Sequence, residues 1–335
     1  MRLSDTLAST LRATGDNLLK TARERIDPAW VADACHRAEL DGGRRRKLPP
    51  DSIVWMVIGA CLLASHAFQD VVRYLGLTIP TARSNPQTVP SSGAVSDART
   101  RLGDAVMREL FTISTNHWAN LPEVAELRFD GKRVLVTDGT AFRTPDTTTN
   151  RSEFGKPSSR RGEAAYPVVT AVVLMEAATH LVVDVELGGA TASELPLFDT
   201  LLARLPEDSV VLLDRGFDSI GHLARIGQVG PGRDFLVRSK RNRKVKILKE
   251  FAPGDELVEI RIAPEVRRMD ASLPKAFVAR RIRYTADGNP TGDLRATGRP
   301  QPRPHRDGAR GRRAWRGTHA DQFPPRTPGG RGGPP

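Results

Sequence analysis

Two apolar segments of this chain end in the same way, and they constrain its fold more than any other feature. RVLVTDGT at residues 133–140 and VVLLDRGF at residues 210–217 each lead from branched apolar residues into an aspartate and a glycine-containing turn. Continuous Val and Leu runs are typical of strands covered on both faces, and such sheets collect reactive groups at the carboxyl ends of their strands. We therefore expect Asp138 and Asp214 to meet at one edge of a mixed sheet.

The segments around these two strands predict an α/β fold. Residues 166–188 have the pattern of two strands joined by a tight turn at Glu176–Thr179, and DFLVRSK predicts a fifth strand. Amphipathic helices are predicted at ASELPLFDTLLARL and SIGHLARIGQ, before and after the strand that ends in Asp214. The order over residues 126–239 is β-β-β-α-β-α-β, which predicts a mixed sheet with helices on each face.

Residues 1–125 are predicted to form a helical DNA-binding domain. Apolar residues recur there at helical spacing, and a Pro- and Ser-rich linker at residues 79–93 precedes a further helix. Ser92 or Ser96 is the candidate cap of that helix, which presents Arg99 and Arg101 near its start. A short helix, a turn and a polar-headed helix suit a DNA-reading element. A plain solvated amphipathic helix explains the same pattern equally well.

The composition changes twice after residue 239. Residues 240–293 alternate apolar and charged residues, which predicts a β-rich insertion of half-solvated antiparallel strands. From residue 295 the chain has no Leu, Ile or Val, so residues 294–335 are predicted to be a disordered Arg/Pro/Gly-rich tail. Ten Arg, two Asp and no Lys or Glu give this tail +8 of the formal charge of +12. The rest is mildly basic, which is compatible with DNA binding without requiring it.

The remaining composition favours the cytoplasm. Cys35 and Cys61 have no partner at metal-ligand spacing, and so few cysteines in a chain of 335 residues indicate a reducing compartment. The longest apolar run, residues 53–67, is shorter than the roughly 20 residues that span a bilayer. The first residues lack the apolar core of a secretory signal. We expect no membrane association, and association with the nucleoid only through DNA.

Asp138 and Asp214 also predict a metal site. Two carboxylates a few ångströms apart repel each other unless a cation lies between them. Hard oxygen ligands favour Mg²⁺ or Mn²⁺, and a pair of such ions about 4 Å apart activates the attacking oxygen and stabilises the leaving oxygen in phosphoryl transfer. Asp-Gly and Asp-Arg-Gly also form plain turns after strands, and spacing alone does not decide between the two explanations.

The two motifs and their surroundings together resemble a known family. Asp138 in VTDGT, Asp214 in LLDRGF, the intervening FGKPSSRRGEAAYPVVTAVVLMEAATHLVVD and the helical SGAVSDARTRLG are similar to insertion-sequence transposases of the DDE class, in the insertion-sequence-four group. The resemblance covers residues 1–293. It implies a ribonuclease H-like catalytic domain that cleaves and rejoins DNA at the ends of a mobile element. It also implies that Asp138 and Asp214 are catalytic and bind Mg²⁺ or Mn²⁺.

The chain departs from this family at the third catalytic acid. The resemblance implies a glutamate on a helix after the β-rich insertion, within the pattern Y-x-x-R-x-x-x-E-x-x-x-x-x-x-K. The chain has no glutamate after Glu265, so no third catalytic residue is assigned. Ten Arg without one Lys, with abundant Gly and Pro, is typical of GC-rich coding DNA read out of frame. We favour a truncated or frameshifted, defective transposase over a functional arginine-rich tail.

Basic residues near the motifs are candidate contacts to the DNA backbone, since phosphate binding depends on charge and position. The predicted contacts are Arg99, Arg101, Lys156, Arg160, Arg161, Arg215, Lys240, Arg241, Arg243 and Lys244. The expected partners are double-stranded DNA, as terminal inverted repeats and target DNA, and a second copy of the chain on that DNA. Two alternatives stay open: a catalytically dead protein that competes at element ends, and a metal-dependent nuclease without strand transfer.

Overall fold

The structure, a computed structural model, describes residues 17–40, 48–64, 66, 68–77, 89–160, 162–230, 232–240, 243–286 and 289–296. These residues all fall in one compact unit. The domain boundaries at residues 125, 239 and 293 therefore stay predictions from the sequence. The predicted disordered tail lies outside the described residues from residue 297 onward.

Seven helices in the described residues precede the sheet, as the sequence predicts. They are α1 (residues 17–25), α2 (Pro28–Arg37), α3 (Pro50–Leu62), α4 (Phe68–Tyr74), α5 (Ser92–Leu102), α6 (Ala105–Ala119) and α7 (Pro122–Ala125). Proline at the first position of α2 and α3 suits a helix start, because that N–H has no partner inside the helix. The apolar faces share one core, in which Val31, Ile53 and Val106 are buried.

Helix α5 begins one residue away from its predicted cap. The side chain of Ser91, not of Ser92 or Ser96, accepts a hydrogen bond from the Ala94 N–H at 3.3 Å. Ser91 has the extended backbone that a cap requires, whereas Ser92 is already helical. Three serines within six residues share this local preference, so the sequence left the choice open.

The central sheet has the predicted ribonuclease H-like arrangement. Its strands are β1 (Arg133–Arg143), β4 (Val168–Glu176), β5 (Val182–Gly188), β6 (Ser209–Leu213) and β7 (Arg233–Ser239), in the spatial order β5-β4-β1-β6-β7. The pairs β5/β4 and β4/β1 are antiparallel, and β1/β6 and β6/β7 are parallel. Helices α9 (Glu194–Leu202) and α10 (Ile220–Ile226) connect the later strands. Both were predicted from their apolar spacing.

Helix α8 (Thr148–Phe154) and a small ribbon of β2 (Ser158–Ser159) and β3 (Gly162–Glu163) lie between β1 and β4. The sequence around Lys156 and Arg160 favours a Gly- and Ser-containing loop instead. The Thr147 side chain accepts a hydrogen bond from the Asn150 N–H at 3.2 Å and so caps α8. The helix has seven residues and no buried side chain, so it lacks the apolar periodicity on which the prediction depended.

The strands after β7 extend the same sheet. They are β8 (Lys246–Ala252), β9 (Asp255–Arg261), β10 (Ala276–Ala286) and β11 (Asn289–Ala296), with α11 (Pro264–Met269) between β9 and β10. The order continues as β7-β11-β10-β9-β8 and gives nine strands in the described part. Residues 294–296, which follow the predicted tail boundary, pair with β7 and β10. Backbone groups form this pairing, which is why it does not need apolar side chains.

One face of the central sheet carries the main core. Leu135, Val211 and Phe235 on the strands are fully buried against helices α9 and α10. The Phe198 and Phe217 rings meet edge to face at 5.2 Å between centroids. On the other face Val136 and Leu212 are half-buried, and the helix cover expected there stays a prediction. The buried face of the sheet fixes the register of β1 and β6, because a slip of one residue would expose every core side chain of the slipped strand.

Candidate active site

Asp138 and Asp214 follow the paired segments of β1 and β6. The two parallel strands pair from Arg133 with Ser209 to Val136 with Leu212. Each aspartate stands two residues after this last pair, and Asp214 directly follows the end of β6. Neighbouring strands lie about 4.8 Å apart, and side chains two residues apart point to the same face. Both aspartates are exposed and lie on the face opposite the buried core. The strand pairing is compatible with the predicted meeting of the two carboxylates, which stays a prediction.

Short local hydrogen bonds orient both carboxylates. Asp138 Oδ1 accepts from the Gly139 N–H at 2.8 Å. Asp214 Oδ1 accepts from the Gly216 N–H at 2.7 Å and the Phe217 N–H at 3.3 Å, which closes the Asp-Arg-Gly turn. Within the described residues neither Oδ2 atom has a hydrogen bond, and neither carboxylate has a cationic partner. Each aspartate thus keeps one oxygen free for a ligand.

The donor set fits a hard divalent cation in part. Carboxylate oxygens are the donors that Mg²⁺ and Mn²⁺ prefer, and two carboxylates with water can hold such an ion. In the part of the chain that the structure describes, no group of three or more His, Cys, Asp or Glu side chains is placed to hold a metal.

Glu194 lies against the strand residue that follows Asp138. A Cβ atom at Gly139 would stand 2.1 Å from Glu194 Oε1 and 2.3 Å from its Cδ, so only glycine leaves room for this carboxylate. Glu194 is the first residue of α9, where a negative charge also suits the helix dipole. The Glu194 carboxylate therefore lies against the backbone of the residue that follows Asp138.

A basic groove borders the turn that carries Asp214. Its volume is about 890 Å³, and Gly216, Lys240, Lys244 and Lys246 are among its lining residues. Lys240 directly follows β7, which runs parallel to β6, so it emerges at the same edge of the sheet as Asp214. Ile220 and Val266 contribute apolar surface to the floor. The groove thus combines cations for phosphate with an apolar floor, next to the paired aspartates.

Arg243 differs from the other predicted DNA contacts. Only 11% of its side chain is exposed, and its Nη2 lies 2.7 Å from Oδ1 of Asp218, whose side chain is fully buried. Asp218 Oδ2 also accepts from the Lys240 N–H at 2.7 Å. Sequence analysis missed Asp218, four residues after Asp214. Nothing in the local pattern distinguishes it from a solvated turn aspartate.

The remaining candidate contacts are spread over several elements. Arg99 and Arg101 on α5, Arg160 after β2, and Arg215 and Lys244 are exposed. Lys156 is 13% exposed and lies 3.1 Å from Asp146. Hydrogen bonds from Arg151 and then Lys156 lower the pKa of Asp146 to about 2. Lys156 therefore already forms an ion pair with Asp146. Arg161 and Arg241 lie outside the described residues.

Among the residues that the structure describes, no helix is long and apolar enough to cross a bilayer.

Comparisons with known proteins agree with this geometry. The profile described as insertion element 4 transposase N-terminal matches residues 17–112, and the transposase DDE domain profile matches residues 130–312. The second match extends past the boundary predicted at residue 294. It includes both aspartates and the groove-lining residues.

Two relatives come from Escherichia coli (strain K12). The transposase InsG for insertion sequence element IS4 is 28% identical over 284 residues, which cover 85% of this chain and 61% of InsG. The putative transposase InsZ is 28% identical over 272 residues, which cover 78% of this chain and 88% of InsZ. The chain thus spans less than two thirds of the length of InsG.

A solved structure of piggyBac transposase in a synaptic complex with hairpin DNA aligns with 80% of this chain and 49% of its own. The identity is 9% and the TM-score is 0.30, an overlap too low to bear on function. The assignment depends on the sequence profiles. Because the DDE domain profile matches more than half of the chain and the N-terminal profile matches the helices before it, the chain belongs to the DDE transposases of the insertion element 4 family.

Proposed function

We propose that this chain binds double-stranded DNA at the ends of an insertion sequence and holds Mg²⁺ or Mn²⁺ between Asp138 and Asp214. The observation that carries this proposal is the parallel pairing of β1 and β6, whose last pair lies two residues before each aspartate. Family membership supports the DNA substrate, and the basic groove beside Asp214 supports a phosphate backbone as the bound group.

Each residue has a distinct task in this proposal. The bound cation supplies Lewis acidity that activates water and stabilises a leaving oxygen. Asp138 and Asp214 offer their Oδ2 atoms, while the N–H groups of Gly139 and Gly216 fix the opposite oxygens. Lys240 and Lys244 bind phosphate oxygens on one side of the site, and Arg215 is exposed in the turn itself. This arrangement orients a phosphodiester across the paired carboxylates.

We further propose that the chain binds metal and DNA but does not carry out strand transfer. Two-ion catalysis requires both ions in a fixed geometry, and two aspartates leave one ion loosely held. The absence of a third grouped acid within the described residues supports this proposal. It also favours the competing DNA-binding role over the nuclease role.

Manganese titration monitored by electron paramagnetic resonance tests the metal site in the full chain. We expect weak, saturable binding to the wild type and none to Asp138→Asn or Asp214→Asn. Asp130→Asn is the matched control, because Asp130 is exposed, lies before β1 and has a positive φ that Asn tolerates. Equal Mn²⁺ binding by all four proteins would contradict the proposed site.

Assays of the same proteins distinguish DNA binding, DNA cleavage and strand joining. A gel-shift at fixed salt with element-end and scrambled duplexes measures binding, and the same duplexes with Mg²⁺ measure cleavage and joining. We expect a shift with preference for the element end, and no joined product. Cleavage without joining would establish the nuclease. Robust Mg²⁺-dependent strand transfer would show that another acid completes the site.

A further inference from the structure

Asp218 joins the turn that carries Asp214 to the basic segment after β7. Its buried carboxylate accepts from the Lys240 N–H at 2.7 Å and from the Ser239 hydroxyl at 3.4 Å. Arg243 Nη2 contacts Asp218 Oδ1 at 2.7 Å and also donates to the Asp218 carbonyl at 2.7 Å. One side chain thus connects two loops that are distant in sequence and adjacent at the sheet edge.

This ion pair is poorly arranged for stability alone. Taking both charges out of water is costly, and the attraction offsets that cost only when every polar atom is well bonded. Arg243 Nε is buried and has no hydrogen-bond partner in the described part of the chain. A native buried group that is left unbonded calls for another explanation. Asp218 and Arg243 both line the groove beside the turn that carries Asp214, which points to a role in placing the lysines of that groove.

We propose that Asp218, together with Arg243, is a positioning residue that holds Lys240, Lys244 and Lys246 in one groove with Asp214. This inference deepens the proposed function and rests on its DNA-binding part. Arg243 acts through Asp218 and does not itself contact phosphate. The lysines bind the backbone together only while the Asp218 contact fixes the start of their segment. The pair therefore sets how many phosphates the groove neutralises at once.

The salt dependence of DNA binding measures this number directly. The logarithm of the binding constant falls with the logarithm of salt concentration with a slope of about 0.9 for each phosphate neutralised on duplex DNA. We expect Asp218→Asn to lower this slope by about 2, because about two lysine contacts are lost together. Binding of a labelled element-end duplex would be followed by fluorescence anisotropy, with EDTA present and well below the melting temperature. A purely structural role leaves the slope of the folded protein unchanged.

Asp234→Asn is the matched control. Asp234 lies near the opposite end of β7 and forms an ion pair of 2.6 Å with Lys132, away from the groove. We expect this variant to keep the wild-type slope. The Lys240 N–H donates a hydrogen bond to Asp218. Its hydrogen exchange should therefore accelerate in Asp218→Asn and stay slow in Asp234→Asn. A slope lowered equally by both variants would reduce the effect to general destabilisation and overturn the inference.

Arg243→Lys provides a second test, which decides the matter if Asp218→Asn does not fold. It keeps the positive charge but loses the guanidinium that reaches both the Asp218 carboxylate and its carbonyl. We expect a lower slope, whereas a residue that only supplies charge to phosphate would leave the slope unchanged. A wild-type slope in this variant overturns the positioning role.

The outcome is separable from that of the proposed metal site. Lowered slopes together with no Mn²⁺ binding by the wild type would refute the site at Asp138 and Asp214 and keep the role of Asp218. Wild-type slopes in the variants, together with Mn²⁺ binding by the wild type, would refute the role of Asp218 and keep the site at Asp138 and Asp214. Failure of the wild type to bind DNA would overturn both.

Discussion

The carboxylates at the sheet edge and those in the β-rich extension differ in exposure and in ion pairing. Asp138 and Asp214 are exposed and have no cationic partner in the described residues. Glu256 on β9 is 3% exposed and bonds to Arg281 and Arg283 of β10. The extension neutralises its buried acid locally, whereas the two aspartates are left to solvent. Exposed carboxylates without a partner contribute little to stability, and this contrast supports the proposal that they bind a ligand.

Other acids of the framework follow the pattern of Glu256. Asp184 bonds to Arg204 at 2.8 Å, and Asp199 lies 2.5 Å from both His222 Nδ1 and Arg225 Nη1. Burial alone would raise the pKa of Asp199, but hydrogen bonds from His222 and Arg225 outweigh it and lower the pKa. These pairs join α9 to β5 and α10. Substitution of a framework acid and of a site acid should therefore have different consequences.

The largest expected effect is on Glu256. Glu256→Gln removes the carboxylate to which the 9% exposed Arg281 bonds, and removal of one partner from a buried pair costs about 3 kcal/mol. Urea unfolding gives the change in free energy. Asp255→Asn is the neighbouring control, because its partner Arg280 has a 44% exposed side chain and exposed pairs contribute about 1 kcal/mol or less. Equal losses in the two variants would remove the distinction between buried and exposed pairs.

The Glu256 pair also predicts a dependence on acid. Burial raises the pKa of Glu256, but hydrogen bonds from Arg281 and Arg283 outweigh burial and lower it below its usual value. A lowered folded pKa stabilises the protein above the unfolded pKa, and this stabilisation is lost as pH falls through the folded value. The difference between wild type and Glu256→Gln should therefore shrink in acid. A difference that is constant with pH would contradict this assignment.

A smaller effect of opposite sign is expected at Glu176. Burial raises the pKa of this side chain, and the charges of Arg133 and Arg128 only partly offset it. Its Oε1 lies 3.6 Å from Arg133 Nε and has no hydrogen-bond partner within the described residues. A raised folded pKa means that stability is lost as pH rises from the unfolded value through the folded one. Glu176→Gln mimics the protonated form.

We therefore expect Glu176→Gln to stabilise the protein at neutral pH, because the neutral amide avoids the cost of burying an ionised carboxylate. The gain should disappear in acid. Urea unfolding at several pH values measures it, with Glu207→Gln as the control because the Glu207 side chain is 74% exposed. Destabilisation by Glu176→Gln at neutral pH would show that the ionised carboxylate is well paired with Arg133.

The smallest expected effect on stability is at the site itself. Asp138→Asn and Asp214→Asn should change the free energy of unfolding by less than about 0.5 kcal/mol, as exposed surface substitutions do. The amide oxygen can still accept the turn N–H groups, and the repulsion between the carboxylates is relieved. Metal-free thermal unfolding checks this. A loss comparable with that of Glu256→Gln would place Asp138 or Asp214 among the framework acids.

The sequence predicted the strands of the central sheet from local patterns. The apolar runs before Asp138 and Asp214 form β1 and β6, whereas the parallel pairing of these strands was not predicted. The meeting of the two aspartates stays a prediction. Asp218 could not be recognised, because its partners Lys240 and Arg243 belong to another loop and meet it only in the folded sheet. His222 likewise had no visible partner, since Asp199 lies on a different helix. Tertiary pairing, which a single sequence does not encode locally, accounts for these omissions.

The position of β11 has a consequence for synthesis of the chain on the ribosome. β7 pairs on one side with β6, which precedes it, and on the other with β11, made about 50 residues later. Until residues 293–296 emerge, the backbone N–H and C=O groups along that edge of β7 have no strand beside them. An open edge of this kind is a template for pairing with another chain. Each nascent chain must therefore pass through an aggregation-sensitive interval, and the last described strand ends it.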